Sequence, residues 1–154
     1  MGDGIGAYSL TVADLLRKQV AVRAESTAVE DARGALSYRT LDQRVNRLAH
    51  VLAGHGVAMG DRVALLSENR REYLEIQLAA ARLGATAACL NWRLADAEMT
   101  HCVRLVSPRV VLVSARHAPM LARIDHGAPE VIDIDARYEA LLAAAPESDP
   151  QIDV

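Results

Sequence analysis

The 154-residue sequence has no phenylalanine, two cysteines and one tryptophan. The missing phenylalanine, beside abundant Ala and Arg, is a compositional habit with no functional meaning. Two cysteines, Cys89 and Cys102, exclude a disulfide framework and point to a reducing cytoplasm. No apolar run approaches the ~20 residues of a membrane span. The opening "MGDGIGAYSL" lacks the basic and apolar regions of a signal peptide, and Gly6 stands where N-myristoylation wants Ser or Thr. Net charge is −3 with no basic block, which excludes a nucleic-acid footprint. Chemistry-bearing motifs are missing too. There is no Walker A loop, no GxSxG elbow, no CxxC pair and no HExxH, so nucleotide-cradling, serine-nucleophile and zinc readings have nothing to stand on.

What is present is ordinary globular material. The chain is 51% apolar and 24% charged, enough for a core in about one domain at ~150 residues per domain. Thr11 reads as the N-cap of a first helix whose apolar stripe runs Val12, Leu15, Leu16, Val20 and Val22. "TAVED" and "ALSYR" alternate around Gly34 and predict a hairpin. Leu41, Val45, Leu48, Ala49 and Leu52 share one helical face, with Thr40 and Gln43 spaced as a capping box and Gly54 or Gly56 as the stop. Arg62 to Leu66 is a strand apolar on both faces from Val63 onward, as in a parallel sheet. Asn69 and Glu72 form a second capping-box pair ahead of a helix burying Tyr73, Ile76, Ala80 and Leu83. "ATAACL", "RVVLVS" and "EVIDID" follow as strands. "DAEMTHCVRLVS", "ARHAPMLARI" (interrupted near Pro119) and "ARYEALLAAA" follow as helices. The alternation predicts an α/β fold: a mostly parallel sheet with helices on both faces, after a short N-terminal β-hairpin. Residues 1–10 read as a flexible start, 11–145 as the folded unit and 146–154 as a linker.

Several candidate sites reduce to structure. "GHGVAMG" follows a helix, so its glycines punctuate rather than cradle phosphate. His101 and Cys102 are adjacent and point apart on a helix, and His50 and His55 complete no ligand spacing. No metal site is expected, and both cysteines are expected as small core residues. Glu68 and Glu72 favour a helix start, and Arg70 and Arg71 read as a solvated face. That leaves "LNWRL". Asn91 and Arg93 fall just past the end of a strand, where open α/β sheets bind ligands. An arginine there is either plain surface or a fork for phosphate.

The order of the segments then resembles a known group. "LSYRTLDQRVNRLA", "GVAMGDRVALLSEN" and "ARLGATAACLNWRL" are similar, in register, to three boxes near the start of the adenylate-forming enzyme superfamily. That group includes acyl-CoA synthetases, peptide-synthetase adenylation domains and luciferases. The resemblance covers roughly residues 10 to 145. It implies that the unit is part of a larger N-terminal domain of an ATP-dependent ligase. Asn91 followed by Trp92, Arg93 and Leu94 resembles the acyl- or aryl-CoA synthetase pattern, where amino-acid-activating domains usually carry Asp at the Asn91 position. Cys89 departs from the proline frequent there. The resemblance implies ATP, Mg²⁺ and CoA as cofactors of the parent enzyme, and a carboxylic acid as substrate. It also implies an acyl-adenylate intermediate and a thioester product. The family's Ser/Thr/Gly-rich phosphate loop, its later Thr-Glu pair, its ribose Asp and its C-terminal Lys have no counterpart in these 154 residues. No catalytic residue is therefore assigned, none of the cofactors is expected on this chain alone, and the chain is expected to be an inactive N-terminal fragment. Arg93 matches the position that implies a contact with the CoA nucleotide phosphate. The remainder of the ligase is the expected partner, with self-association through uncovered apolar sheet surface. Two other readings stay open: a stand-alone binding or dimerisation module of the same fold, and a fragment of an amino-acid adenylation domain.

Overall fold

The computed structural model describes residues 11–150, so the flexible start expected over residues 1–10 and the last four residues of the 146–154 segment lie outside the described residues. The first helix, α1 (Val12–Arg23), is closed by Thr11. The Asp14 amide donates to Thr11 Oγ1 at 3.4 Å and the Thr11 amide donates to Asp14 Oδ2 at 3.1 Å, a reciprocal cap. Its expected stripe does not hold. Ala13 and Leu16 are buried, whereas Val12, Leu15 and Val22 are 56%, 46% and 84% exposed. At ~100° per residue, Ala13, Leu16 and Val20 fall within about 60° of arc, and Leu15 and Val22 fall on the far side. The helix packs through that narrow face alone.

The hairpin forms from β1 (Thr27–Asp31) and β2 (Gly34–Ser37), antiparallel, with Gly34 at φ +108° opening the return strand. Helix α2 (Tyr38–Gly54) starts earlier than Thr40. Ser37 is the cap, its Oγ accepting from the Thr40 amide at 3.2 Å. Thr40 is thereby drawn into the first turn, and the expected Thr40–Gln43 box is not used. The predicted face holds: Leu41, Val45, Leu48, Ala49 and Leu52 are buried, each stabilising by about 1.5–3 kcal/mol where the side chain is large.

Strand β3 (Arg62–Leu66) leads to α3 (Arg71–Arg82), and here the Asn69–Glu72 cap is also corrected. Arg70 occupies the cap position and no side chain caps it, because a guanidinium has no acceptor to offer the first-turn amides, and the Glu72 carboxylate is engaged by Arg33 and Arg70 instead. Ile76, Ala80 and Leu83 are buried as expected; Tyr73 is half-buried. Then come β4 (Thr86–Cys89), α4 (Asp96–Val106), β5 (Val110–Val113), α5 (Ala118–Leu121), β6 (Glu130–Asp133) and α6 (Tyr138–Ala144). Pro119 sits in the first turn of α5, so it begins that helix instead of interrupting a longer one.

The four later strands make one parallel sheet in the order β4-β3-β5-β6. Alternate residues serve two cores. Val63, Leu65, Val110, Leu112 and Ile132 face α2, α3 and α6, while Ala64, Leu66, Val111 and Val113 face α4 and α5. Both faces of β3 and β5 are therefore dry, which is why those strands read as unbroken apolar runs. The expected α/β class, with helices on both faces and a short hairpin, is what the chain adopts. The cysteines are a correction. Cys89 is exposed on the edge strand β4 and Cys102 is half-buried on α4, both as free thiols. Cys89 shares the face of its register partner Leu65, but at the rim of the sheet only the exposed Gln77 of α3 reaches it, Nε2 to Sγ at 3.4 Å, and the thiol stays open to solvent.

After α6 the chain lies along α2. The Arg47 guanidinium donates to the carbonyls of Leu142 and Ala145, and Asn46 Nδ2 donates to that of Glu147 at 2.9 Å. The His50 ring meets the Ser148 carbonyl at 2.9 Å. Asp149 accepts from Arg17 and from the buried Arg82, which also holds Asp42 and Asn46.

Candidate functional site

The strand order creates a switch point. From β3 the chain runs through α3 to β4 on one side, and then through α4 to β5 on the other side of β3. Crossovers therefore diverge between β3 and β5, and the crevice at their carboxyl ends is where such sheets bind ligands. Three loops meet there: 67–70 after β3, 90–95 after β4 and 114–117 after β5.

The loops are tied together by polar contacts. The Ser114 amide donates to the Leu66 carbonyl at 3.1 Å, and its hydroxyl donates to Glu68 Oε2 at 2.7 Å. His117 Nε2 lies 3.4 Å from the same oxygen. His117 is 7% exposed, and its Nε2 is buried without a hydrogen bond among the described residues. The Glu68 carboxyl is held below the usual range by its own backbone amide first, then by the Ser114 hydroxyl and the His117 ring, against the opposing effect of burial. Ser114 donates to a carboxylate and not to His117, so this is a tether and not a nucleophile–base pair.

Trp92 stacks on His117 with ring centroids 5.3 Å apart and planes 25° apart. The backbone that delivers it is set by Asn91, whose Oδ1 accepts from the Arg93 amide at 3.1 Å. Asn91 is thus the turn former at the strand end, because an Asx side chain can close such a turn on the amide two residues on. Arg93 is exposed, with its guanidinium carbon 4.4 Å from the Trp92 ring centroid. Arg116, from the loop after β5, stands 5.5 Å from the same centroid. Neither guanidinium has a carboxylate partner among the described residues, and the arrangement can receive an anion.

On the other flank of Glu68, a cleft of about 320 Å³ is lined by Asp31, Ala32, Arg33, Asn69 and Arg70. Its charges are satisfied internally. Arg33 and Arg70 both hold Glu72, whose carboxyl these guanidiniums lower to about 2 although burial works the other way. Arg71 pairs with Asp31, and its hydrogen bonds hold that carboxyl well below the usual range. The solvated face expected for Arg70 and Arg71 is therefore corrected: their side chains are 19% and 10% exposed, Arg70 joining Glu72 to Asp135 after β6 and Arg71 clamping the hairpin to α3 through Asp31 and the Gly34 carbonyl. No group of three or more potential metal ligands occurs among the described residues.

Sequence reasoning brought Asn91, Trp92 and Arg93 to this edge and missed Glu68, Ser114, Arg116 and His117. A signal was available. "VALLS" and "VVLVS" are parallel runs, each ending in Ser, and they pair in register from Val63–Val110 to Leu66–Val113. Residues just past both serines had to share one edge.

Against known proteins, residues 16–153 match the family model described as AMP-binding enzyme. A feruloyl-CoA synthase of an Amycolatopsis species is 38% identical over 102 residues, which cover 66% of this chain and 21% of that protein. A fatty acid–[acyl-carrier-protein] ligase, ScoC, of Streptomyces coeruleorubidus is 30% identical over 117 residues, covering 75% of this chain and 22% of that protein. Among solved structures, the N-terminal domain of FACL13 from Mycobacterium tuberculosis superposes with a TM-score of 0.88 at 29% identity, over 94% of this chain and 39% of that one. The chain belongs to the AMP-binding enzyme family. It spans about a fifth of the length of the curated relatives it matches.

Proposed function

We propose that this chain is the N-terminal portion of an ATP-dependent acyl- or aryl-CoA synthetase, one that activates a carboxylic acid as its adenylate and passes the acyl group to CoA. The observation that carries this reading is the family match over residues 16–153, together with relatives named as CoA ligases. The residues fit a supporting role. They build a four-stranded parallel sheet with a crevice at its carboxyl edge. ATP and CoA belong to the family's reaction, and Mg²⁺ would neutralise the phosphates during adenylation. In this reading residues 11–145 are the subdomain and residues 146–154 lead towards the phosphate-binding region. Arg93 is its one site residue, a contact for the phosphate of the CoA nucleotide. The warrant is its place at the carboxyl end of β4 and its free guanidinium.

The partner of this unit is the remainder of the ligase, and two copies associate when that remainder is absent. Exposed Leu105 on α4, at 77%, and the outer edge of β4 supply the surface. Among the described residues no helix is long and apolar enough to cross a membrane. The free cysteines fit a cytoplasmic setting.

The test is ATP–pyrophosphate exchange by the 154-residue chain with Mg²⁺ and a panel of aliphatic and aromatic acids. No exchange above buffer is expected. Exchange with any acid would overturn the reading of the chain as a non-catalytic portion. Sedimentation velocity tests the association: a concentration-dependent shift to dimer is expected, and a monomer at high concentration refutes it.

A further inference from the structure

Three loops at the carboxyl edge of the sheet each put one group at the same point: Glu68 after β3, Trp92 after β4 and His117 after β5. The histidine touches both of the others. Its ring is stacked on the indole, and its Nε2 faces Glu68 Oε2 at 3.4 Å. Yet that nitrogen, in a residue 7% exposed, is buried without a hydrogen bond among the described residues. Glu68 Oε2 accepts instead from the Ser114 hydroxyl at 2.7 Å. A carboxylate oxygen has a second lone pair to offer, so the Ser114 bond does not exclude another donor. The pair is in place and the contact is open.

We propose that His117 is a proton-operated latch: when its ring becomes cationic, Nε2 donates to Glu68 Oε2 and the 90–95 loop is fixed to the ends of β3 and β5 through Trp92. The latch has two ends. At one, a charge-assisted N–H···O bond replaces an unmade contact. At the other, an imidazolium attracts the indole face more strongly than a neutral ring does. The charged groups around the ring work in both directions. Glu68, from the loop after β3, favours the cation, and its carboxyl is held low chiefly by its own backbone amide, so it stays ionised in mild acid. Arg93, from the loop after β4, and Arg116, beside His117 after β5, stand over the same indole and oppose a third cation there. Both are exposed, so water screens them and they can swing away, whereas Glu68 meets a buried nitrogen. Arg70 and Asp135, further out, are paired with each other. The Ser114 tether keeps Glu68 in position whether or not the latch is closed.

Trp92 is the single tryptophan of the sequence, and among the described residues His117 is the histidine stacked on it. An imidazolium in contact quenches an excited indole by accepting an electron, and a neutral imidazole does so poorly. The experiment follows tryptophan emission of the 154-residue chain from about pH 8 to about pH 5, the interval in which histidines change charge. Hydrogen-exchange protection of the Arg93 and Leu94 amides, which close on Asn91 Oδ1 and on its carbonyl, is measured at both ends. Emission should fall in one single-proton step, and protection should rise about tenfold, the worth of one hydrogen bond to a charged group. His117→Phe keeps a ring against Trp92 without a nitrogen, and should lose both changes. Glu68→Gln should move the fall in emission to lower pH and lose the gain in protection. Circular dichroism of every protein across the interval checks that the fold persists, and if His117→Phe fails that check, Glu68→Gln decides alone. Wild-type emission without a step, a step that survives in His117→Phe, or a step that Glu68→Gln leaves at the same pH overturns the proposal. So does a step with unchanged protection, which would leave a protonation that latches nothing.

Discussion

Replacing Glu72 with Gln should remove the acid sensitivity that this one side chain confers. Glu72 is 2% exposed and accepts from Arg33 at 2.7 and 3.0 Å and from Arg70 at 2.8 Å. Burial alone would raise its carboxyl; the two guanidiniums overcome that and lower it to about 2, against an ordinary 4.5. A depressed carboxyl stabilises the fold fully above its unfolded value, and that stabilisation is lost as pH falls from 4.5 towards 2. A shift of this size corresponds to about 3 kcal/mol at 1.36 kcal/mol per unit. At pH 7 Glu72→Gln should therefore lower stability by about 3 kcal/mol, or roughly 6–12 °C in Tm for a chain of this size. Other acids, Asp31 among them, are also held low, so wild-type stability alone would not isolate the effect. The decisive quantity is the difference between the two proteins, measured by urea unfolding at steps from pH 7 to pH 2. It should be constant down to about pH 5 and close to nothing by pH 2. A difference that stays constant over the whole range would refute the electrostatic account of Glu72.

Leu52 is fully buried at the back of α2, and Leu52→Ala should cost about 2–5 kcal/mol in the same urea assay, with an unchanged m-value. Gly56 has φ +81°, and a Cβ there would stand 2.8 Å from Arg109 Nη2. Gly56→Ala should destabilise by about 1–2 kcal/mol from the backbone alone, and pairing it with Arg109→Ala should recover only the part owed to the side-chain clash.

The fold was legible because its strands carry their own burial. Val63 to Leu66 and Val110 to Val113 are apolar at every position, and a strand has that pattern only when both faces are covered. The helix starts were less legible, for a reason that recurs. Ser37 and Thr40 are both competent caps, and the choice between them depends on where the hairpin delivers the chain. Glu72 has the spacing of a capping acid but is claimed by Arg33, 39 residues away in sequence. Long-range ion pairs of that kind have no local signature, which is also why Arg70 and Arg71 looked like solvent-facing residues. At the candidate site, Asn91, Trp92 and Arg93 announced themselves through a strand-end motif. His117 and Arg116 did not, since only the parallel registers of β3 with β4 and with β5 bring them to Trp92.

The last turn of α6 and the segment after it are gripped chiefly by their main-chain oxygens: Arg47, Asn46 and His50 bind the carbonyls of Leu142, Ala145, Glu147 and Ser148. Every amino acid offers that same oxygen. Substitutions at positions 143, 144 and 148 can therefore accumulate without loosening the attachment, whereas a change at Asp149 removes the one carboxylate that joins Arg17 to Arg82. In a mutational scan of this stretch, tolerance should drop sharply at Asp149 and reappear as intolerance on α2, at the residues that do the holding.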